Sequence, residues 1–277
     1  MILGNQLTDK EFNKFSELIY EQTGIFMKPE KKELLNARLG KRLRICGVAS
    51  FNSYYDFILA PEQQNKEFVH FLDSVSTNFT SFFREISHFE FLTKTVLPEL
   101  AARHPHNKEC FFWSSASSSG EEPYTLAMVL EDFARVKPGF AYKILATDIS
   151  TRVLGVAAKG VYALSQTTKT PPDILRKYFQ KGTGSSAGKV RVKNEVRRSV
   201  QFQRFNLMHD FPWNEEMDVI FCRNVMIYFD RETQERLVQK FYRCLSRGGY
   251  LFIGHSESIS GIKHDFVQVE ATTYKKG

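Results

Sequence analysis

Two acidic residues directly follow a turn of small residues, where an apolar run leads into a helical pattern. The segment SSASSSGEEPY, residues 114–124, comes after the run CFFW and continues into PYTLAMVLEDF. A strand, a small-residue turn and a helix are the usual parts of a nucleotide or cofactor loop. Glu121 and Glu122 would repel a phosphate, so the turn is expected to serve a different kind of ligand.

A third acid, Asp148, lies near the end of the next apolar run, YKILATDIS, 28 positions after Gly120. An acid at the end of the second strand commonly holds the two hydroxyls of a ribose. S-adenosylmethionine satisfies both patterns, because it has a ribose, no phosphate, a sulfonium and an ammonium group. The alternative is that Glu121 and Glu122 only favour the positive end of the following helix. The spacing alone leaves both interpretations open.

Four segments, in this order, resemble the signature blocks of the CheR family, the chemotaxis receptor glutamate methyltransferases. They are STNFTSFFRE (76–85), SSGEEPY (118–124), FCRNVMIYF (221–229) and GHSE (254–257). The resemblance covers essentially the whole chain. Ser119 stands where threonine is common in the family, a small change because both residues carry a hydroxyl.

The resemblance implies methylation of glutamate side chains on chemoreceptors, with S-adenosylmethionine as cofactor and S-adenosylhomocysteine as product. Arg84 and Tyr228 are expected to be catalytic, by steering and guiding the acceptor carboxylate. The cofactor-binding residues implied by the resemblance are Asn78, Thr80, Arg84, Glu122, Asp148, Asn206, Leu207, Arg223 and Asn224.

Several of these positions also have a purely structural interpretation. Arg84 could be a surface arginine that closes a helix, and Asn78 and Thr80 could be helix caps. Asp148 could cap the helix TRVLGVA, although Ser150 or Thr151 would serve that purpose too. The pair Arg223 and Asn224 could mark a strand end that turns to solvent. For Asn206 and Leu207, the functional interpretation is that the amide reads the adenine amine and the leucine covers the ring.

Methyl transfer to a carboxylate needs little acid–base chemistry. A glutamate side chain has a pKa near ~4.3 and is already ionised at neutral pH. Alignment of oxygen, methyl group and sulfur in a dry site is the remaining requirement. The four cysteines are widely spaced with no CxxC pair, so no metal site is expected.

The elements around these motifs divide the chain into two domains. Residues 1–75 show only helical patterns, 76–84 form a linker that contributes to the cofactor site, and 85–277 alternate strands with helices. The predicted fold is α/β: a Rossmann-like S-adenosylmethionine-dependent methyltransferase domain preceded by an all-α domain. A small antiparallel β insertion is predicted at about 165–204, and a single final strand in DFVQVEATTYKKG.

Two surfaces are candidates for substrate recognition. The second helix is rich in basic residues, and Lys41 and Arg42 are expected to contact acidic receptor helices, although a charge run is often only a solvated face. The turn GTGSSAG, with Gly182, Gly184 and Gly188, resembles the turn of family members that dock a receptor's C-terminal pentapeptide. Strand addition would suit such docking, and a flexible hairpin is the alternative.

The net charge of +7 and a pI near 9.1 favour an acidic partner. The apolar runs are too short for a membrane helix, and the first residues lack the pattern of a signal peptide. The resemblance implies a cytoplasmic monomer that is recruited to membrane receptor arrays and does not bind nucleic acid. Two other functions remain open: a nucleic-acid methyltransferase, which would also explain the charge, and an inactive scaffold that binds S-adenosylmethionine.

Overall fold

The computed structural model describes residues 6–63, 66–104, 108–213 and 215–277. The first part of the chain is all-helical, as predicted, and packs around its own core. Its helices are α1 (Asp9–Thr23), α2 (Lys32–Cys46), α3 (Phe51–Leu59) and α4 (Glu67–Val75), with a short 3-10 helix (Pro29–Lys31) before α2. Thr8 and Glu11 form a reciprocal capping box that starts α1, and Gly24 ends it in the left-handed conformation.

The second part of the chain is an α/β domain built on a seven-stranded sheet with the order β6-β2-β1-β7-β8-β10-β9. Its strands are β1 (Glu109–Ser114), β2 (Ala141–Asp148), β6 (Val200–Arg204), β7 (Met217–Cys222), β8 (Leu245–Ile253), β9 (Phe266–Glu270) and β10 (Thr273–Lys276). The first five strands in this order run parallel, and β10 is antiparallel to both of its neighbours. The order reverses between β1 and β7, which is where ligands bind in open parallel sheets.

Helices cover both faces of this sheet, so its central strands are buried on both sides. The helices are α5 (Ile86–Phe91), α6 (Leu97–Arg103), α7 (Glu121–Val136), α8 (Thr151–Lys159), α9 (Pro172–Tyr178), α10 (Asn194–Arg198) and α11 (Arg231–Cys244), with a π turn between α5 and α6. The neighbours Phe112 and Trp113 of β1 point to opposite faces. Phe112 packs in the core that includes α7, and Trp113 in the core that includes α11.

The small antiparallel insertion exists, but its limits differ from those predicted at 165–204. Its sheet has the order β3-β5-β4 and contains β3 (Val161–Ala163), β4 (Phe179–Lys181) and β5 (Lys189–Val192). Strand β6 lies outside it, because it pairs in parallel with β2 at the edge of the main sheet. An edge strand with one covered face alternates apolar and polar residues just as a hairpin strand does, which explains the misplaced boundary.

The prediction of a single final strand was wrong, because the C-terminal residues form a hairpin of β9 and β10. The connection passes through Thr272, whose φ of 53° is left-handed. The turn contains neither glycine nor asparagine, the residues that usually mark such a conformation, so no local pattern predicts it.

Candidate active site

All ten residues predicted for the cofactor and catalytic sites line one cleft between the helical domain and the α/β domain. They are Asn78, Thr80, Arg84, Glu122, Asp148, Asn206, Leu207, Arg223, Asn224 and Tyr228. The cleft lies at the carboxyl ends of β1, β2 and β7, and the linker 76–84 forms part of its wall. The fold therefore brings together residues that are up to 150 positions apart in the chain.

Asp148 ends β2, and two backbone N–H groups hold its carboxylate. Ser118 donates to Oδ2 at 2.8 Å and Ser150 donates to Oδ1 at 2.9 Å. Asp148 is only 7% exposed, yet it lines the cleft. Each carboxylate oxygen can accept a second hydrogen bond, so both remain able to accept ligand hydroxyls. The side chain that caps α8 is Ser150, so capping does not explain Asp148.

The small-residue turn after β1 joins the acid of β2 to the linker. Ser118 has a left-handed φ of 48°, and its hydroxyl donates to the carbonyl of Asn78 at 2.9 Å. Gly120 has a φ of 98°, and a Cβ at this position would lie 2.8 Å from the Cβ of Ala157. Only glycine fits there without a shift of the helix, so the turn geometry depends on Gly120.

The two acids that follow the turn have different surroundings. Glu121 is 1% exposed and accepts a hydrogen bond from the Ser119 hydroxyl at 2.7 Å; burial raises its pKa. Glu122 lines the cleft, accepts from the Ser114 hydroxyl at 2.8 Å and pairs with Arg223 Nη1 at 3.0 Å. Burial raises the pKa of Glu122, and the charge of Arg223 partly offsets this. Of the two acids, Glu122 is the one placed to attract a cationic ligand group.

Arg223 is the centre of a buried ion-pair network at the wall of the cleft. Its side chain is 1% exposed, and its Nε and Nη2 both donate to Glu85 Oε2, at 3.3 and 3.0 Å. Nη2 also donates to the carbonyl of Arg84. Burial opposes the charged form of Glu85, but Arg223 and Asn224 outweigh it and lower the pKa of Glu85. The guanidinium of Arg223 therefore positions Glu85 and Glu122 at the wall of the cleft, and its contact with the cofactor stays a prediction.

Four non-glycine residues around the cleft have left-handed backbones: Phe83, Glu85, Ser118 and Asn224, with φ between 48° and 58°. Such conformations cost on the order of 1–3 kcal/mol each and persist only where the surroundings hold them. They cluster on the turn, the linker and the loop after β7, the same segments that line the cleft. Strain of this kind is typical of functional sites.

Glu257 has a role at this site that the sequence analysis missed. It is 7% exposed, and its Oε2 accepts the N–H groups of Gly254 and Asn224 at 2.6 and 2.8 Å. Its Oε1 accepts the N–H of Ile227 at 3.2 Å. Glu257 thus clamps the loop that carries Asn224 and Tyr228. The available signal was an acid in the short segment GHSE, directly after a buried strand.

Arg84 and Tyr228 approach the cleft from different segments. Arg84 is the last residue of the linker; its Nη1 donates to the carbonyl of Phe79 at 3.0 Å, and its side chain is 29% exposed. Tyr228 ends the 3-10 helix Met226–Tyr228 after β7. Its carbonyl accepts the N–H of Phe26 at 2.8 Å, so the helical domain fixes the backbone of this loop.

The helical domain also supplies part of the cleft wall, which the sequence did not indicate. Thr23 and Ile25 line the cleft, and Ile25 forms an isolated antiparallel bridge with Phe229. The hydroxyl of Tyr20 donates to Asp230 Oδ2 at 2.8 Å. These contacts hold the end of α1 and the residues after it against the loop that follows β7. The shape of the cleft therefore depends on how the two domains pack.

Asn206 lines the cleft and also joins the two domains, and its predicted contact with adenine stays a prediction. Its amide N–H donates to the carbonyl of Gln22 at 2.7 Å, and its Oδ1 accepts the N–H of Met208 at 3.0 Å. The side chain therefore joins the domains, and only the second lone pair of Oδ1 is available to an adenine amine. Leu207 is 8% exposed and lines the cleft together with Phe205, as expected for a residue that covers a ring.

Lys41 and Arg42 differ, although they are neighbours on α2. Lys41 is exposed. Arg42 forms a bidentate pair with Glu67 of α4, at 2.9 and 2.5 Å, and Tyr54 donates to the same carboxylate at 2.7 Å. The side chains of Arg42 and Glu67 are 16% and 7% exposed. Arg42 also lines the groove beside α2, so its contact with a partner stays a prediction, although its guanidinium is paired with Glu67 inside the helical domain.

The three glycines of the insertion do not line the cleft; they shape a turn of the small sheet. A Cβ at Gly182 would lie 2.2 Å from the carbonyl oxygen of Ser186, which leaves no room for a side chain. Gly184 and Gly188 have φ values of 56° and 79°. The turn therefore requires glycine for its geometry, whichever ligand it contacts.

The cleft residues fit S-adenosylmethionine. Asp148 offers acceptors for ribose hydroxyls, and Ile149, Phe205 and Leu207 offer an apolar surface for a base. Glu122 supplies negative charge for a cationic group, in a cleft where a phosphate would meet two acids. The doubly wound sheet and this site define the class of the protein as an S-adenosylmethionine-dependent methyltransferase.

Comparisons with known proteins agree with this class and narrow it. Residues 78–275 match the family described as "CheR methyltransferase, SAM binding domain", and residues 10–76 match "CheR methyltransferase, all-alpha domain". The chain belongs to the CheR methyltransferase family. It is 38% identical over 278 residues to a chemotaxis protein methyltransferase of Borreliella burgdorferi, covering 99% of this chain and 96% of that protein. Proteins with the same description in Salmonella typhimurium and Escherichia coli are 39% identical over 97% of this chain and 90% and 91% of their own lengths.

Proposed function

We propose that the protein methylates glutamate side chains of chemoreceptors and so adjusts their signalling, with S-adenosylmethionine as methyl donor. Its relatives are described as chemotaxis protein methyltransferases. The observation that carries the proposal is the cleft itself, which joins the ribose acid Asp148 to Arg84 and Tyr228. A guanidinium and a phenol beside the cofactor residues are suited to an anionic acceptor.

The acceptor needs alignment more than activation. A glutamate side chain with a pKa near ~4.3 is already a nucleophilic carboxylate at neutral pH. When bound, S-adenosylmethionine supplies an electrophilic methyl group on a positively charged sulfur. Arg84 has one N–H anchored to Phe79, and its other donors can hold a carboxylate in fixed geometry. The Tyr228 hydroxyl can donate to the same group and limit its rotation.

The basic surface beside the cleft is the proposed contact for an acidic receptor helix. A groove between α2, α4 and α8 is lined by Arg38, Lys41 and Arg152. Ser76 lines both this groove and the cleft, so the two lie side by side. Acidic side chains in the groove would place a neighbouring glutamate at the cleft. Lys41 is the exposed cation best placed to test this contact.

The insertion is the proposed site for a receptor's C-terminal pentapeptide. Strands β3 and β4 are the two edges of the small sheet, and β5 lies between them. An extended peptide can add to such an edge through main-chain hydrogen bonds. The glycine turn at 182–188 would keep one end of the sheet free of bulky side chains.

In the experiment, the purified protein is incubated with receptor-containing membranes and labelled S-adenosylmethionine, and transfer of the label is measured. The expected product is a base-labile ester that releases methanol. Arg84→Ala should lose most transfer, whereas Arg243→Ala, which changes an exposed arginine of α11, should keep it. Tyr228→Phe should bind the cofactor normally and transfer more slowly. A base-stable methyl group on protein would contradict carboxyl methylation.

The same experiment separates the other candidate functions. Methylation of added RNA would identify a nucleic-acid methyltransferase, and cofactor binding without transfer would identify a scaffold. Among the described residues, no helix is long and apolar enough to span a membrane. We propose that the protein acts as a monomer recruited to receptor arrays, which sedimentation with and without receptor membranes would test.

A further inference from the structure

A buried carboxylate lies between the two domains, behind the ribose acid. Asp73 of α4 is 6% exposed. Its Oδ2 accepts a hydrogen bond from the Thr151 hydroxyl at 3.1 Å. Its Oδ1 is buried and has no hydrogen-bond partner among the described residues. Burying a carboxylate with one unpaired oxygen costs free energy, so the presence of Asp73 at this position calls for an explanation.

Thr151 belongs to a short segment that connects Asp73 to the cofactor acid. Asp148 accepts the N–H of Ser150, and Ile149 packs against the core of the helical domain. Thr151 begins α8 and bonds to Asp73. The segment 148–151 is therefore held by the α/β domain at one end and by the helical domain at the other.

We propose that Asp73 is a positioning residue that couples the packing of the helical domain to cofactor binding by Asp148. Helix α4 ends at Val75 and leads directly into the linker that lines the cleft. Asp73 thus fixes one domain against the loop of the other at the point where both reach the cofactor site. The proposal rests on the role of Asp148 in ribose binding and is independent of which acceptor is methylated.

The two carboxylates also interact through their charges. Burial raises the pKa of Asp148, its backbone N–H partners oppose the rise, and the negative charge of Asp73 adds to it. An ionised Asp148 is the stronger acceptor for ribose hydroxyls. Cofactor affinity should therefore fall as pH falls through the pKa of Asp148. Removing the charge of Asp73 lowers that pKa, so affinity should persist to lower pH.

Other charged groups near Asp148 stay unchanged in this comparison. They are Glu122, Arg84 and Arg223 in the cleft, and Arg204 of β6, which pairs in register with Asp148 and donates to the carbonyl of Ile149. Around Asp73 itself, the groove carries Arg38, Lys41, Arg42, His70 and Arg152. A substitution at Asp73 alone therefore reports on its own charge and contact.

The experiment measures S-adenosylhomocysteine binding by calorimetry from about pH 4.5 to about pH 8. Asp73→Asn keeps an acceptor for Thr151 and removes the charge, whereas Thr151→Val keeps the charge and removes the hydrogen bond. Asp56→Asn is the matched control, because that side chain is 78% exposed on the surface of the helical domain.

Asp73→Asn should bind S-adenosylhomocysteine about threefold tighter than the wild type at the acidic end of the pH range, and equally tightly at neutral pH. Thr151→Val should bind about threefold to tenfold more weakly at neutral pH, the effect of one lost hydrogen bond. Asp56→Asn should match the wild type. The proposal would be overturned if Asp73→Asn and the wild type lost affinity identically as the pH falls. Unchanged affinity of Thr151→Val would also overturn it. Thermal unfolding checks the fold, and if Asp73→Asn does not fold, Thr151→Val decides alone.

Discussion

Glu257→Gln is the substitution that best tests how the loop that carries Asn224 and Tyr228 is held. The carboxylate of Glu257 accepts three backbone N–H groups, from Gly254, Asn224 and Ile227, and is 7% exposed. Glutamine has nearly the same shape but replaces one acceptor oxygen by an NH₂ donor. Whichever way the amide is turned, at least one backbone N–H then faces another donor.

The expected loss in the free energy of unfolding follows from these hydrogen bonds. One buried N–H left without an acceptor costs about 1–3 kcal/mol, and each remaining bond weakens by about 1 kcal/mol when its acceptor loses its charge. Burial raises the pKa of Glu257 despite its N–H partners, so a neutral amide recovers part of the desolvation cost. We expect a net loss of about 2–3 kcal/mol in the free energy of unfolding. Because Asn224 and Tyr228 lie on the loop, turnover should fall by about tenfold or more.

The assay combines denaturant unfolding with methyl transfer at saturating cofactor. Glu195→Gln is the matched control, because Glu195 is exposed at the start of α10. It should leave both stability and turnover unchanged. If Glu257→Gln behaved like this control, the loop would not depend on the Glu257 carboxylate, and the reasoning from the three hydrogen bonds would be refuted.

Five further outcomes are expected. Asp148→Ala should weaken S-adenosylmethionine binding by about 1–3 kcal/mol in calorimetry, the cost of unpaired ribose hydroxyls; unchanged affinity in a folded variant would contradict the ribose assignment. Arg42→Ala should lower the free energy of unfolding by about 3 kcal/mol, because it leaves a buried carboxylate unpaired. Lys41→Glu should keep stability in the same denaturation experiment but slow turnover on receptors, an effect that added salt should reduce. Burial lowers the pKa of His88 to about 3, against about 6.5 in the unfolded chain. Between these two pH values the unfolded state binds a proton that the folded state does not. The free energy of unfolding therefore decreases as the pH falls from about 6.5 toward about 3. In thermal unfolding, His88→Gln should lose less stability than the wild type over this acidic range. A pH dependence identical to that of the wild type would exclude His88 as a source of the acid-induced loss of stability. Gly182→Val should reduce binding of a receptor tail peptide in fluorescence titration while cofactor binding stays normal, because the side chain would collide with the turn; normal peptide binding would exclude this turn as the docking site.

Much of the fold could be predicted because it depends on short-range patterns. The capping box of Thr8 and Glu11, the apolar periodicity of the first helices and the alternation of buried strands with helices are all local. The limits of the insertion could not be predicted in this way. Strand β6 has the same alternating pattern as a hairpin strand, and only its pairing with β2 shows that it belongs to the main sheet.

The sequence by itself determined the class of fold, the order of the elements and ten of the cleft residues, most of which lie in the motifs that resemble a known family. The tertiary structure decided what each side chain does there. Arg42 and Glu67 are 25 positions apart, Asn224 and Glu257 are 33 apart, and Arg223 and Glu85 are 138 apart. The partner of a buried charge depends on which elements pack together, and burial makes an unpaired charge costly, so the fold assigns partners that no local pattern contains. For this reason Arg42 belongs to a core and Arg223 to a network that holds the site, although both are arginines in basic or polar segments of the sequence.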